Sequence, residues 1–469
     1  MDSFVKGLED EEEQDSSEEE TEDISARRAI DAPVAELYLP SLPKHFRRPI
    51  LVHREPSEFH KAKDDCLRCI HNALLQSQWQ RAAELMVSYL ELLESTNWAR
   101  QREGSEEIWK IGTEIMQQHP ESSVQEASHF ADRMKNLGVI KYLKVSLEHA
   151  FHLLCNGFLE EAYQDLSLAE SWRYGELSLA QEKERKLIQG YRGLLDYYKW
   201  LKKRTDMLEH DEDSYARTSV QQEVDRLYQQ AKDCLKEIIK IPGVWDPFVT
   251  CYVDMLEHYE EFEEARETLH EYAYNSKFPS NPNAHVFFYQ FLKRRGEPKK
   301  AQISALQILH ELVPSHELML EFYTMLSKSD KNKHHKKCLK VIFSVLDFAG
   351  WKENVKAWHC LAKQIVEILQ NPDKQLDWLR KEWSARKDWW PSFHFSLHLA
   401  KQNWQENEDL VYEKTLVAGI LLGKDSKYSK YIIQQSNKAR KKNIKPLKKF
   451  LKEHSWLCYL FRHHLVVSS

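Results

Sequence analysis

The sequence is short of the residues that interrupt helices. Glycine and proline number 13 and 15 among 469 residues, a combined share of about 6% against a usual share of about 12%. That scarcity argues against many-stranded β architectures and against glycine-rich phosphate loops, and it disfavours most nucleotide-binding α/β folds. Long apolar runs are missing too. The longest candidate, LVAGILLG at 416–423, falls well below the roughly 20 residues that span a bilayer. The N-terminus, MDSFVKGLEDEEEQ, has no apolar stretch of the signal-peptide kind. The eight cysteines are scattered from Cys66 to Cys458, which fits reduced thiols in the cytosol or nucleus better than a disulfide framework. These absences lead to the expectation of a soluble intracellular protein with no membrane span.

Overall charge is also modest, at −6, but it is sharply segregated. Residues 1–23 carry 12 acids against the single base Lys6, and residues 424–452 carry 11 bases against the single acid Asp425. Such blocks cannot bury apolar surface and read as disordered interaction tails. The expected division is an acidic tail over 1–50, a helical repeat domain over 57–423 and a basic segment over 424–469. Within the acidic block, Ser16 and Ser17 each precede a glutamate by three residues (Glu19 and Glu20). That pattern suits phosphorylation by an acidophilic kinase, each phosphate adding about −1.5 to −2 charges.

Between the tails the apolar spacing is helical. In DPFVTCYVDMLEHY (246–259), Asp246 is placed to cap and Pro247 to open a helix. Phe248, Val249, Tyr252, Val253, Leu256 and Tyr259 then share one face. Asn281-Pro282 repeats that start, Gly296 can end the helix it opens, Pro298 opens the next, and Ser315 is placed to cap another. A small residue recurs early in each second helix: Ala265, Ala301, Cys338. Their spacing lies near the period of about 34 residues of tetratricopeptide units. Trp79-x-x-Ala82 and Leu159-x-x-Ala162 resemble the same joint at wider intervals. The fold expected is all-α, a divergent tetratricopeptide-like solenoid of helical hairpins.

Candidate chemistry is sparse. Cys66-Leu-Arg-Cys69-Ile-His71 has its histidine one residue too late for haem attachment and no second ligand pair for zinc. With Leu67, Ile70 and Leu74 it reads as a packed helix with buried thiols. Gly419-Ile-Leu-Leu-Gly423-Lys424-Asp425 has three residues between glycines where a phosphate loop needs four, and Asp where that loop needs Ser or Thr. His394 and His398 share a helix face, but Phe393, Phe395 and Leu397 surround them, so packed or surface histidines are expected. No G-x-S-x-G element is present. Neither a catalytic residue nor a cofactor is expected.

Two features remain. The run KARKKNIKPLKKFLK (438–452) sets Lys438, Arg440, Lys441, Lys442, Lys448 and Lys449 among apolar residues. It suits phosphate contact, nuclear import, or both. The other is tryptophan: half of the 14 lie between Trp351 and Trp404. Adjacent residues on a helix point about 100° apart, so Trp389 and Trp390 cannot both enter one core. Arg380, Lys381, Arg386 and Lys387 surround them, and a Trp centre with a cationic rim is the composition of a protein interface. Trp383, Trp389, Trp390 and Phe393 are therefore the candidate partner-binding residues.

Seven stretches carry a family resemblance: RMKNLGV (133–139), IPGVWDPFV (241–249), FPSNPNAH (278–285), VPSHELMLEF (313–322), VLDFAG (345–350), WWPSFHFS (389–396) and VAGILLGK (417–424). Together they resemble the A-subunit family of TATA-box-binding-protein-associated factors of RNA polymerase I, over roughly residues 57–430. The resemblance implies a non-enzymatic component of the promoter selectivity factor, working in the nucleus and nucleolus. It implies TATA-binding protein, sister associated factors and the upstream binding factor as partners, and contact with the ribosomal DNA promoter through the complex. The readings that compete with it are a helical scaffold in pre-ribosomal RNA processing and a cytosolic tetratricopeptide adaptor.

Overall fold

The computed structural model describes residues 58–454, apart from 95, 97, 137–140, 174, 210–213, 330, 371–374, 424 and 439–443. Among the described residues every regular element is helical. The described residues divide into two compact units, one up to Gly104 and the other from Ser105.

The first unit contains the hairpin of α1 (Glu58–Leu75) and α2 (Trp79–Glu94). Ile70 and Ala73 of α1 close on Ala82, Met86, Tyr89 and Leu93 of α2, which are all buried. Cys66 is half-buried and its thiol points to the Leu85 carbonyl at 3.6 Å, but Cys69 is exposed. The expected pair of buried thiols is thus corrected for Cys69, which lies off the face carried by Ile70 and Ala73.

The division falls within α3 (Trp98–Gln118), and the second unit continues with α4 (Val124–Asn136), α5 (Tyr142–Cys155), α6 (Leu159–Ser171) and the long pair α7 (Leu179–Glu209) and α8 (Ser214–Ile239). Regular hairpins come next: α9 (Asp246–His258) with α10 (Phe262–Tyr274), α11 (Pro282–Arg294) with α12 (Lys299–Leu312), and α13 (Met319–Ser329) with α14 (Lys331–Leu346). The closing region is α15 (Val355–Gln370), α16 (Gln375–Ser384), α17 (Trp390–His394), α18 (Leu397–Glu406), α19 (Glu408–Leu421), α20 (Lys427–Lys438) and α21 (Ile444–Glu453).

One turn builds four of these hairpins. The first helix ends on a residue with positive φ: Ser77, Gly157, Glu260 and Gly296. The next N–H then returns to the carbonyl five residues back, at 2.9 Å in each case: Gln78 to Ala73, Phe158 to Leu153, Glu261 to Leu256, and Glu297 to Leu292. That is the 6→1 bond of a Schellman end, which satisfies a carbonyl the helix would leave open. The residue five positions beyond each turn is Ala82, Ala162, Ala265 or Ala301. A methyl group there lets the second helix lie close against the first. The alanine joints expected from the sequence are therefore consequences of a shared turn. The wide interval between Ala162 and Ala265 is filled by the long helices α7 and α8.

Between successive hairpins the period is written in hydrogen bonds. Asp246 accepts from Asn281 at 2.7 Å and from Asn283 at 2.6 Å, residues 35 and 37 further on. Arg294 donates to Glu257 at 2.7 Å across a separation of 37, Trp351 to the Ser315 carbonyl across 36, and Tyr323 to the Cys360 carbonyl across 37. The α9–α10 hairpin is thus tied to α11–α12, and α13 to the helix that starts at Val355, by bonds about one repeat long.

Two cap expectations need correction. Asn281 caps α11 as expected, its side chain accepting from the Asn283 N–H. Asp246, however, is the first residue of α9 and Trp245 its cap. The Asp246 carboxylate is taken by Tyr272 at 2.6 Å and by the two asparagines, so it staples hairpins together instead of capping its own helix. Ser315 caps nothing, because α13 begins only at Met319.

The basic segment is more structured than expected. Tyr428 and Ile432 of α20, and Leu447 and Leu451 of α21, are buried. Gly419 permits this docking: a Cβ there would lie 2.5 Å from a Leu451 methyl carbon. The glycine that imitates a phosphate loop is a contact point inside α19, whose residues Lys414–Leu421 are buried all round.

Candidate partner-binding site

The tryptophan-rich stretch folds around the C-terminal end of α14. Asp347, immediately after that helix, accepts two parallel bonds from Arg386, Nε to Oδ1 at 2.8 Å and Nη2 to Oδ2 at 2.7 Å. It also accepts from the Trp390 indole Nε1 at 2.7 Å. Arg386 completes its set on Glu382, at 2.8 Å to the carboxylate and 2.9 Å to the carbonyl. Its guanidinium lies over the rings of Phe343 and Trp390. A paired planar cation of this kind can be buried where a lone one cannot, and burial works to lower the Arg386 pKa while Asp347 and Glu382 raise it. The net direction is upward, so the guanidinium stays charged.

Around that pair the rings close into a nest. Trp390 meets Phe343 at 5.0 Å, Trp358 at 6.0 Å, Trp383 at 6.4 Å and His394 at 4.7 Å between centroids. His394 Nε2 donates to the Leu346 carbonyl at 2.9 Å. Burial first, and then the charge of Lys414, push its pKa down to about 3. Lys414 is itself buried beside the Trp358 ring, and burial lowers its pKa to about 8. His394 and His398 hold no metal geometry: one is in the core and the other is exposed.

The adjacent tryptophans divide as the helical angle requires. Trp390 is 0% exposed and Trp383 3%, whereas Trp389 is 38% exposed. Pro391, in the first turn of α17, fixes the junction. Trp383 and Trp390 are thus corrected from contact residues to core residues, and Arg386 leaves the cationic rim for the interior. Trp389 remains outside and Phe393 lies half-buried beside it, their rings 5.6 Å apart, with Lys352 Nζ 4.9 Å from the Phe393 centroid. Phe348, which follows Asp347 directly in sequence, is 41% exposed. The result is an aromatic ledge standing on an ion pair whose cation is buried and whose carboxylate is half-buried. Sequence reasoning missed Asp347 because an isolated aspartate after an apolar helix carries no spacing signal.

The other candidate residues are located less fully. Lys438 and Lys448 lie within α20 and α21, and Lys449 is exposed on α21. Arg440, Lys441, Lys442, Ser16 and Ser17 lie outside the described residues.

One buried cluster imitates a hydrolase. His149 Nδ1 lies 2.9 Å from Asp165, and His149 Nε2 lies 3.1 Å from Ser128 Oγ. Ser128 is a mid-helix residue whose hydroxyl donates to the Val124 carbonyl at 3.0 Å, so its proton is committed to the backbone. Lys135 takes the remaining Asp165 oxygen at 2.5 Å. The cavity beside His149 holds about 10 Å³, at the lower limit for a single water. Acyl transfer needs an open nucleophile and converging oxyanion donors, and this cluster has neither. It joins α4, α5 and α6.

With this geometry in hand, the chain can be set beside known proteins. The family model for the TAF RNA Polymerase I A subunit matches residues 72–434. The chain belongs to that family. It is 48% identical over 421 residues to the A subunit of the mouse TATA box-binding protein-associated factor of RNA polymerase I, covering 89% of this chain and 92% of the mouse protein. The human protein of the same name is 45% identical, with 90% and 93% covered. Among solved structures, the TPR domain of P58(IPK) is similar over 86% of this chain and 100% of that one, at 12% identity and a TM-score of 0.21. At that score the helical-hairpin description of this family member stands on its own turns and bonds.

Proposed function

We propose that this chain is a non-enzymatic scaffold of the RNA polymerase I promoter selectivity factor, presenting hairpin surfaces over residues 57–423 to TATA-binding protein and sister factors. The observation that carries the reading is family membership, since the mouse and human relatives are named as factors associated with TATA box-binding protein and RNA polymerase I. The ledge of Trp389 and Phe393 supports it. A half-exposed tryptophan held rigid by packed neighbours loses little freedom on binding, which is how interface anchors gain affinity. One such Trp is worth about 2–4 kcal/mol to binding.

The place of action is the nucleus, specifically the nucleolus, and the upstream binding factor is a further partner. Lys438, Arg440, Lys441, Lys442, Lys448 and Lys449 support import and salt-sensitive contact with promoter phosphates, without base readout. Phosphorylation of Ser16 and Ser17 tightens contact with basic surfaces. Purification of the tagged full chain from nuclei tests the reading. Recovery of TATA-binding protein in stoichiometric amount is expected. Recovery of pre-ribosomal RNA processing factors in its place would establish the competing scaffold.

A further inference from the structure

In the first unit, α1 carries two thiols one helical turn apart, Cys66 and Cys69. No other two cysteines of the chain are as near in sequence. Three residues of helix rise about 4.5 Å and turn about 300°, which sets their Cα atoms about 5 Å apart. Disulfides span Cα separations of about 4.4–6.8 Å, so the backbone already lies within range. The two thiols differ in access. Cys69 is exposed, whereas Cys66 is half-buried with its Sγ 3.6 Å from the Leu85 carbonyl of α2. Burial first, and then the charge of Cys69, hold the Cys66 thiol above its ordinary pKa. Thiolate character and access decide which sulfur reacts. Cys69 therefore meets an oxidant first, and Cys66 waits behind it.

We propose that Cys66 and Cys69 form a reversible dithiol–disulfide pair, with Cys69 as the attacking thiol and Cys66 as the resolving one. The oxidant is a small disulfide of the glutathione class. The Cys69 thiolate attacks one of its sulfurs, the S–S bond breaks, and one glutathione thiolate leaves. Cys66 then gives its proton to water and attacks the Cys69 sulfur of the mixed disulfide, expelling the second glutathione thiolate. Two electrons pass from the pair to the oxidant, which ends as two thiols. The adduct also removes the Cys69 charge that opposes ionisation of Cys66, so the first step prepares the second. Closure then acts on the hairpin. Residues three apart on a helix have Cβ atoms about 5–6 Å apart, and a disulfide needs about 3.5–4.5 Å. The turn must tighten, and the Cys66 sulfur must leave Leu85. Ile70, next to Cys69, and Ala73 are the residues that α1 buries, so a tightened turn loosens α1 against α2. The proposal does not depend on the promoter-factor reading.

The test equilibrates the intact chain and its Cys66→Ser and Cys69→Ser variants in glutathione buffers of stepped oxidised-to-reduced ratio, followed by acid quenching, alkylation and peptide mass spectrometry. The parent peptide holding both cysteines should lose two hydrogens and resist alkylation. Cys66→Ser should stop at a glutathione adduct on Cys69, and Cys69→Ser should keep Cys66 reduced. Cys155, which is exposed, should take the adduct in all three proteins and so reports that the oxidant is active. Hydrogen exchange over 58–94 should be about tenfold faster in the disulfide form, and dithiothreitol should reverse it. A parent chain that keeps the adduct on Cys69 without closing, or that stays dithiol while Cys155 is modified, would overturn the proposal. So would a disulfide found only between two chains, or one that leaves exchange over 58–94 unchanged.

Discussion

The hairpins from Asp246 to Leu312 and the closing region from Lys331 to Leu421 solve the same problem in different ways. In the first, a repeated turn sets each pair, and staples one repeat long tie neighbours together: Asp246 to Asn283, Glu257 to Arg294. The load is spread over many exposed or half-buried groups, each worth little alone. In the second, the pairs shorten, α17 being only five residues, and one ion pair with its ring of tryptophans holds the elements. Asp347 alone serves Arg386 and Trp390. Distributed bonding tolerates the loss of any member, whereas a concentrated centre does not.

The largest contrast follows from that. Asp347→Ala leaves Arg386 half-paired and the Trp390 indole N–H unpaired, at a cost of about 2–4 kcal/mol. Arg294→Ala, in the regular hairpins, should cost less than about 1 kcal/mol. Urea unfolding followed by tryptophan fluorescence measures both, and equal shifts would erase the distinction. Next, Gly419→Ala pushes a methyl group onto Leu451 and should cost about 1–3 kcal/mol. Hydrogen exchange would show whether the loss appears as loosening of α21, the helix that the glycine admits.

Acid should act on the hairpins through Glu264. Burial works against ionisation, but donation from Lys236, Tyr252 and Lys232 outweighs it and holds the group at about 2. A depressed carboxylate contributes stability above its unfolded pKa of about 4.3 and loses it as pH falls towards the folded value. Glu264 is partly exposed, so screening reduces the contribution to about 1–2 kcal/mol. Glu264→Gln should flatten the stability profile between pH 5 and pH 2, and an unchanged slope would remove Glu264 from the account. The smallest effect concerns the shared turn. Glu260 occupies the left-handed region at φ 58°, where glycine is unstrained. Glu260→Gly should raise stability by about 0.5–1 kcal/mol in the same urea assay.

The regular region was the more legible of the two. Alanines at 265 and 301 and prolines at 282 and 298 report a turn whose chemistry is local, so neighbours in sequence reveal it. The glutamates and tyrosines that bind across hairpins were invisible because their partners lie a whole repeat away. In the closing region composition marked the place, and the angle between Trp389 and Trp390 correctly required one to leave the core. Which one leaves depends on Asp347 and Arg386, 39 residues apart, and no periodicity connects them.

The central claim is that a rigid nest carries an exposed binding ledge, and the adjacent tryptophans test it directly. Trp389→Ala and Trp390→Ala should be compared for melting temperature and for binding to TATA-binding protein and the sister factors in a reconstituted complex. Trp390→Ala should lose about 3–5 kcal/mol of stability. Trp389→Ala should melt like the parent chain and bind about 2–4 kcal/mol more weakly. If Trp389→Ala assembles with undiminished affinity, or if it destabilises the chain as Trp390→Ala does, the ledge is packing and the account is wrong.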